Sequence, residues 1–221
     1  MSIAQYIDHT LLKVDATQTE IEQLCEEALA LRTYSVCINP MWVSVAQSAL
    51  AGSPIKVCTV VGFPLGATYT TAILAETDMA IRHGATEIDM VMNVGALKSG
   101  YDEQALDGMR LVSKMAHEAG DIIVKVIVES AVLIDSEKRT AARPVVESGA
   151  DFLKTSTGYV ANPGLTGDVG LFVSVLPALF PIKAAGGIRN YETAKTLLDM
   201  GVARIGASST VKIVEEERNL A

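Results

Sequence analysis

Short runs rich in Val and Ile alternate along the chain with longer stretches in which apolar residues recur every three or four positions. The first pattern is typical of parallel strands buried on both faces, and the second of helices with one buried face. Gly, Pro or Asn marks most of the junctions, as turns require. The predicted strands are Ile7–Leu11, Ser35–Ile38, Ile55–Val61, Glu87–Met92, Ile122–Val128, Phe152–Thr155, Ile182–Ala185 and Arg204–Gly206. The predicted helices are Thr17–Leu31, Met41–Leu50, Thr70–His83, Glu103–Ala119, Ser136–Ser148, Asp168–Leu179, Tyr191–Met200 and Thr210–Glu217.

The first predicted helix carries its own start signal. Thr17 is followed three positions later by Glu20, the spacing of a capping box in which each side chain binds the other's backbone amide. Ile21, Leu24 and Ala28 then recur at helical spacing and define one buried face.

Eight strands, each followed by a helix, predict an α/β fold of the (β/α)8 TIM barrel type, because parallel neighbours need right-handed crossover connections. A doubly wound open sheet is the main alternative. We find no linker, low-complexity segment or composition break. The sequence therefore predicts a single barrel domain over residues 1–221 with an N-terminal helical segment.

Composition narrows the function. The 221 residues are 49% apolar and 20% charged, with a net charge of −8. Clustered Lys and Arg would be needed to bind nucleic acid or an anionic membrane, so neither partner is expected. No apolar run reaches the roughly 18 residues that span a bilayer, and the first ten residues lack the basic segment of a signal peptide. Cys25, Cys37 and Cys58 have no spacing typical of disulfide or zinc frameworks, which favours a cytoplasmic location.

Two lysines stand inside short apolar strands. Lys154 and Lys183 occupy the predicted sixth and seventh strands, where a charged side chain is costly without partners. Alternation along a strand turns both towards the barrel interior. Mutual repulsion and desolvation both lower the pKa of a confined lysine, which makes it a nucleophile for carbonyl substrates. The alternative is that each lysine is paired with a carboxylate such as Asp89 or Glu129.

Three further residues are candidates for the same site. Lys125, on the predicted fifth strand, competes for the role of nucleophile. Asp89 is the natural acidic partner, able to hold a catalytic water and to move protons, unless it is only a counter-ion. Asp8 is a second candidate for the proton relay.

Glycine-rich loops follow the last two predicted strands, where barrels of this class bind phosphate through backbone amides and a helix N-terminus. The sequence therefore predicts a phosphorylated small-molecule substrate. The three histidines form no metal set. No metal or other cofactor is expected. The predicted phosphate-binding residues are Gly158, Gly186, Gly187, Gly206, Ser208 and Ser209.

In order from about Ile7 to about Ser209, the chain resembles the deoxyribose-phosphate aldolase family. No single motif is specific for this family, but the motifs taken together are. The segments that carry the resemblance are residues 7–12 (IDHTLL), 62–68 (GFPLGAT), 87–91 (EIDMV), 93–100 (NVGALKSG), 153–158 (LKTSTG) and 182–189 (IKAAGGIR).

The resemblance implies a metal-free class I aldolase that reversibly cleaves 2-deoxy-D-ribose 5-phosphate to D-glyceraldehyde 3-phosphate and acetaldehyde. It implies that Lys154 forms the Schiff base, that Lys183 perturbs it and joins Asp89 in a proton relay, and that Cys37 lies near the pocket without a catalytic duty. It also implies a cytoplasmic homo-oligomer, a dimer or larger, that acts in deoxynucleoside breakdown.

Two features depart from the family pattern. Tyr159 stands where Phe or Lys is more usual, which puts a phosphate contact there in doubt, and the tail lacks the terminal tyrosine that assists proton transfer in some members. Two other functions remain open: a metal-free phosphosugar lyase or isomerase with Lys154 as a base, and a phosphosugar-binding barrel without turnover.

Overall fold

The structure is a computed structural model that describes residues 2–220. Met1 and Ala221, the two ends of the domain predicted over residues 1–221, lie outside the described residues. Within the described range, eight parallel strands close into a barrel in chain order, and β8 pairs with β1. The predicted (β/α)8 barrel is therefore confirmed. The strands are β1 Ile7–Leu11, β2 Ser35–Ile38, β3 Lys56–Val61, β4 Glu87–Val91, β5 Ile123–Ile127, β6 Phe152–Lys154, β7 Ile182–Ala185 and β8 Arg204–Ala207.

Helices connect the strands on the outside of the barrel. In the same range the α-helices are α1 Gln18–Leu31, α2 Val43–Ala49, α3 Thr70–Arg82, α4 Val94–Lys98, α5 Asp102–Ala119, α6 Asp135–Glu147, α7 Leu165–Val175, α8 Tyr191–Asp199 and α9 Thr210–Leu220. Short 3-10 helices lie at Ile3–Tyr6, Pro40–Trp42 and Ser130–Val132. The first of these is the predicted N-terminal helical segment.

The predicted bounds of α2 and α7 differ from the observed ones for local reasons. α2 begins at Val43 rather than at Met41, because the chain from Pro40 makes a 3-10 turn first. α7 ends at Val175, four residues before the predicted end. Leu176 is extended, with φ −75° and ψ 155°, because the residue before a proline is disfavoured in the α region.

The start of α1 follows the capping box. The Thr17 hydroxyl accepts a hydrogen bond from the backbone amide of Glu20 at 3.4 Å, and the Glu20 carboxylate accepts one from the amide of Thr17 at 2.8 Å. Ile21, Leu24 and Ala28 of the same helix are buried. The side chains of the cap thus fix where the helix begins, and the apolar spacing fixes which face packs inward.

The hydrophobic core lies between the barrel and its helices. Val124 and Val126, which flank Lys125 along β5, belong to the same buried cluster as Val112 of α5 and Val145 of α6. Successive residues of a strand face opposite sides, so Lys125 must face the barrel interior. Apolar contacts outside the barrel therefore hold charged side chains inside it.

No helix formed by residues 2–220 is long and apolar enough to cross a membrane.

Candidate active site

Each strand of the barrel contributes at least one ionisable side chain to the interior. All of them are at least 96% buried. We call this set the interior cluster, and it consists of Asp8 of β1, Cys37 of β2, Cys58 of β3, Glu87 and Asp89 of β4, Lys125 of β5, Lys154 of β6, Lys183 of β7 and Arg204 of β8.

Asp89 is the common partner of three lysines. Its carboxylate lies 2.9 Å from the ammonium of Lys125, 2.8 Å from that of Lys154 and 2.7 Å from that of Lys183. Burial by itself raises the pKa of Asp89, but the three ammonium groups outweigh burial and hold this pKa well below its usual range. In the resting site Asp89 is therefore an anion, and all three predicted lysines are placed against it.

A second layer lies on the amino-terminal side of these contacts. The Arg204 guanidinium is 2.7 Å from Asp8 and 3.2 Å from Glu87, and Glu87 is 2.6 Å from the ammonium of Lys125. Asp8 also forms an ion pair with Lys183. Burial raises the pKa of Asp8, yet the surrounding cations bring it below its usual value. Asp8 is thus a fixed counter-ion between the two layers.

Glu87 and Arg204 were not among the residues singled out from the sequence. Each is a charged residue at the start of a short apolar strand, and each is buried. A charge within a short apolar strand, the feature that marks Lys183, marks both of them equally well.

The expectation that confinement lowers the pKa of both predicted lysines is wrong for Lys183. Burial does lower it, but the carboxylates of Asp8 and Asp89 outweigh burial and raise the pKa of Lys183 above its ordinary value. The pKa of Lys125 is raised in the same way, against burial, by Asp89 and Glu87 among its neighbours. The alternative considered above, a lysine paired with a carboxylate, is what the structure shows for Lys183, which contacts both Asp8 and Asp89. Lys183 and Lys125 are therefore cations in the resting site.

A cavity of about 600 Å³ opens at the carboxyl end of the barrel. Loops after β1, β6, β7 and β8 line it, together with the side chain of Lys154. Among the described residues, Lys154 is the one member of the interior cluster in this lining. A substrate in the cavity therefore meets the cluster through the Lys154 amine.

The predicted phosphate loops lie around the rim of this cavity. Five of the six predicted residues line it, namely Gly158, Gly186, Gly187, Gly206 and Ser208. Gly186 and Gly187 have φ of 98° and 77°, values that favour glycine, so the backbone here turns in a way that other residues resist.

Ser209 differs from the other predicted phosphate residues. It is absent from the cavity lining as far as residues 2–220 show, and its carbonyl accepts the hydrogen bond of Ile213 at the start of α9. Two cations of the same lining were not predicted, Lys13 after β1 and Arg189 after β7. Both are exposed at the rim, where a basic side chain is no surprise and carries little sequence signal.

Tyr159 joins two loops over the cavity. Its hydroxyl donates to the carbonyl of Leu12 at 2.7 Å, and its ring meets Phe63 edge-on with centroids 5.4 Å apart. The phenol is therefore committed to the backbone of the loop after β1, and Tyr159 forms a wall of the cavity.

Glu129, the other carboxylate considered as a lysine partner, serves the loop after β6 instead. It accepts a hydrogen bond from the backbone amide of Thr157 at 3.3 Å and another from the Thr157 hydroxyl. Glu129 thus fixes the segment that carries Gly158 to the rim.

The two interior thiols border Asp89. The sulfur of Cys58 lies 3.2 Å and that of Cys37 4.0 Å from its carboxylate oxygens. A hydrogen bond from Cys58 lowers the pKa of Cys37 against the effect of burial, and Lys183 adds to this. Ligand atoms of Cys37, Cys58 and Asp89 lie within 4.8 Å of one another, as a metal site would require. This set does not fit a metal ion, because three ammonium groups already surround the Asp89 carboxylate.

The barrel and its buried amine at the base of a glycine-rimmed cavity define an aldolase-type site. The sequence matches the DeoC/LacD family aldolases over residues 2–211, and the chain belongs to that family.

The relatives carry a more particular name. A protein of Brevibacillus brevis called deoxyribose-phosphate aldolase is 48% identical over 214 residues, which cover 97% of this chain and 96% of that one. A protein of the same name from Caldanaerobacter subterraneus is 49% identical and covers 98% of this chain and 94% of its own.

A solved structure shows the same arrangement of the backbone. The deoxyribose phosphate aldolase of Aeropyrum pernix, whose structure is described as a unique tetramer, superposes with a TM-score of 0.91 at 30% identity. The superposition covers 99% of this chain and 92% of that one.

Proposed function

We propose that the chain catalyses the reversible cleavage of 2-deoxy-D-ribose 5-phosphate to D-glyceraldehyde 3-phosphate and acetaldehyde through an imine on Lys154. The observation that carries the proposal is that Lys154 links the interior cluster to the cavity. The names of the close relatives support the choice of substrate.

The charge of the interior cluster favours Lys154 as the nucleophile. With every group ionised, the four cations (Lys125, Lys154, Lys183 and Arg204) face three carboxylates (Asp8, Glu87 and Asp89). Loss of one proton balances the cluster. Lys125 contacts three carboxylates and Lys183 two, whereas Lys154 contacts Asp89 alone and borders the cavity. Lys154 is therefore the lysine with the fewest carboxylate partners and the one that a substrate in the cavity can reach.

The chemistry then follows from the placement of these groups. The Lys154 amine attacks the aldehyde carbon C1 of the open-chain sugar, and loss of water gives the imine. The C3 hydroxyl loses its proton, the C2–C3 bond breaks, and its electron pair enters the enamine on Lys154. Protonation at C2 and hydrolysis release acetaldehyde. Asp89 and Lys183, in contact with each other beside Lys154, support the proton transfers at the carbinolamine.

The rim supplies a site for the phosphate. Glycine backbone at Gly186, Gly187 and Gly206 lets a dianion approach main-chain amides, as phosphate sites of such barrels do. Ser208 offers a hydroxyl, and Arg189 a full positive charge. A phosphate held there would place the aldehyde end of a five-carbon sugar towards the interior.

Further expectations belong to the same proposal. The chain acts as one barrel domain over residues 1–221, in the cytoplasm, on a phosphorylated sugar, and as a homo-oligomer of two or more copies. The tetramer described for the Aeropyrum pernix enzyme supports the last of these.

The test is turnover of 2-deoxyribose 5-phosphate by the purified chain, with both products identified by mass spectrometry. We expect cleavage by the wild type and none by Lys154→Leu, which removes the amine and keeps an apolar stem. Lys114→Leu, which alters an exposed lysine of α5, is the matched control and should turn over normally. Turnover by Lys154→Leu would contradict the proposal.

A further inference from the structure

The deeper layer of the interior cluster has no access to the cavity and yet is connected to Lys154. Glu87 is 2.6 Å from Lys125, Lys125 is 2.9 Å from Asp89, and Asp89 is 2.8 Å from Lys154. Neither Glu87 nor Arg204 is in the cavity lining of the described chain. Arg204 joins this series through Glu87, and it also reaches Asp89 through Asp8 and Lys183.

Arg204 is sealed off from solvent at the other end of the barrel. The ring of Tyr34 covers its guanidinium at 3.2 Å, and the Phe152 ring lies 5.7 Å away. Arg204 retains only 4% exposure and Glu87 only 1%. Because water does not screen these charges, a change in either one acts at a distance on the rest of the cluster.

The titratable groups around Lys154 come from every strand. Asp89 touches it, and Lys183 and Lys125 share that carboxylate. On the cavity side the charged side chains of the lining are Lys13, Asp15 and Arg189. The remaining groups of the barrel interior are Asp8, Cys37, Cys58, Glu87 and Arg204.

We propose that Glu87 and Arg204 are positioning residues that act from the amino-terminal layer of the interior cluster. Their charges set the net charge of the cluster, and this net charge sets the fraction of Lys154 that is a free amine. The proposal rests on the imine function of Lys154 argued above. Glu87 favours the ammonium form of Lys154, and Arg204 opposes it.

The two residues predict shifts of opposite sign. Glu87→Gln removes a negative charge at nearly constant shape, so the ammonium form of Lys154 is less favoured and the amine reacts at lower pH. Arg204→Gln removes a positive charge, so the amine reacts only at higher pH. A buried unit charge two or three contacts away shifts a titration by on the order of one pH unit.

The experiment measures how fast borohydride fixes acetaldehyde onto the intact protein across a pH series. We expect the midpoint of the rise to move down by about one pH unit in Glu87→Gln and up by a similar amount in Arg204→Gln. Arg204→Lys and Glu87→Asp keep the charge and should return the midpoint to that of the wild type. The double variant Glu87→Gln/Arg204→Gln restores the charge count and should do the same.

Removal of one member of a buried pair can destabilise a protein, so each variant is first checked for folding by circular dichroism. The direction of the midpoint shift is predicted for each single variant, so one folded variant is enough to test the proposal. Folded variants whose midpoints stay in place, or move in the same direction, overturn the proposal. Absence of any adduct in the wild type would instead refute the imine function itself.

Discussion

Asp89→Asn is the substitution that separates the contribution of the interior cluster to stability from its contribution to proton transfer. The asparagine has nearly the same shape, but it removes the negative charge shared by Lys125, Lys154 and Lys183. The cluster then holds four cations against the two carboxylates Asp8 and Glu87. Two protons must then leave to balance the cluster, one more than in the wild type.

The cost follows from the burial of the group. Breaking a buried ion pair by removing one partner costs about 3–5 kcal/mol, a large part of the roughly 5–15 kcal/mol that stabilises a typical domain. Because the unpaired lysines are easier to protonate in the unfolded chain, the unfolded state binds more protons and the stability of Asp89→Asn rises with pH. Urea unfolding should therefore show a loss of about 3–5 kcal/mol near neutral pH that shrinks at alkaline pH.

The chemical effect is different in kind. Without Asp89 the Lys154 amine is free to form the imine, but the proton transfers lose their carboxylate. We expect borohydride trapping with acetaldehyde still to give an adduct, only more slowly because the carbinolamine loses its carboxylate, while turnover of 2-deoxyribose 5-phosphate falls by about 10²- to 10⁴-fold. Asp107→Asn, in an exposed ion pair of α5, is the control and should change neither. Turnover within tenfold of the wild type, or loss of trapping in folded Asp89→Asn, would refute the reasoning.

Three further predictions concern groups outside the cluster's centre. Burial lowers the pKa of His9 despite its Glu27 partner, so stability should fall as pH drops below about 6.5; His9→Gln should flatten this dependence in urea unfolding. Thr17→Ala should cost about 1 kcal/mol in the same assay by removing the cap of α1, and Thr19→Ala should cost less. Gly206→Ala would place a Cβ 3.2 Å from the Lys183 side chain, so turnover should fall several-fold while circular dichroism is unchanged.

The fold could be predicted because its signals are local and repeated. Apolar strand runs, helical spacing and the Thr17 capping box each specify their own element, and right-handed crossovers leave few ways to join them. What failed was the detail of element ends, as at α7. There the preference of Leu176 for an extended backbone before a proline ended the helix four residues early.

The positions of the site residues could be predicted from the sequence, but their ion-pair partners and protonation states could not. Strand alternation brings Lys154, Lys183 and Asp89 into one interior. It does not say which carboxylate meets which lysine, because that depends on register and side-chain length. The shared contact of Asp89 and the ion pair of Asp8 with Lys183 reverse the expected direction of the pKa of Lys183.

The rim of the cavity shows the same limit. Rim glycines can be predicted from the sequence because turns with positive φ need them. The exposed side chains Lys13 and Arg189 have no such signal, because their sequence context does not distinguish them from other surface cations. The bond of Tyr159 to the Leu12 carbonyl joins residues 147 positions apart, a contact that only the closed barrel creates.

The account is tested most directly by mapping the adduct left on the protein after borohydride reduction in the presence of acetaldehyde. Peptide mass spectrometry should find a single two-carbon adduct, on Lys154, because this is the amine of the interior cluster that borders the cavity. An adduct on Lys125 or Lys183 would contradict the assignment of the nucleophile. A folded protein without any adduct would contradict the imine mechanism.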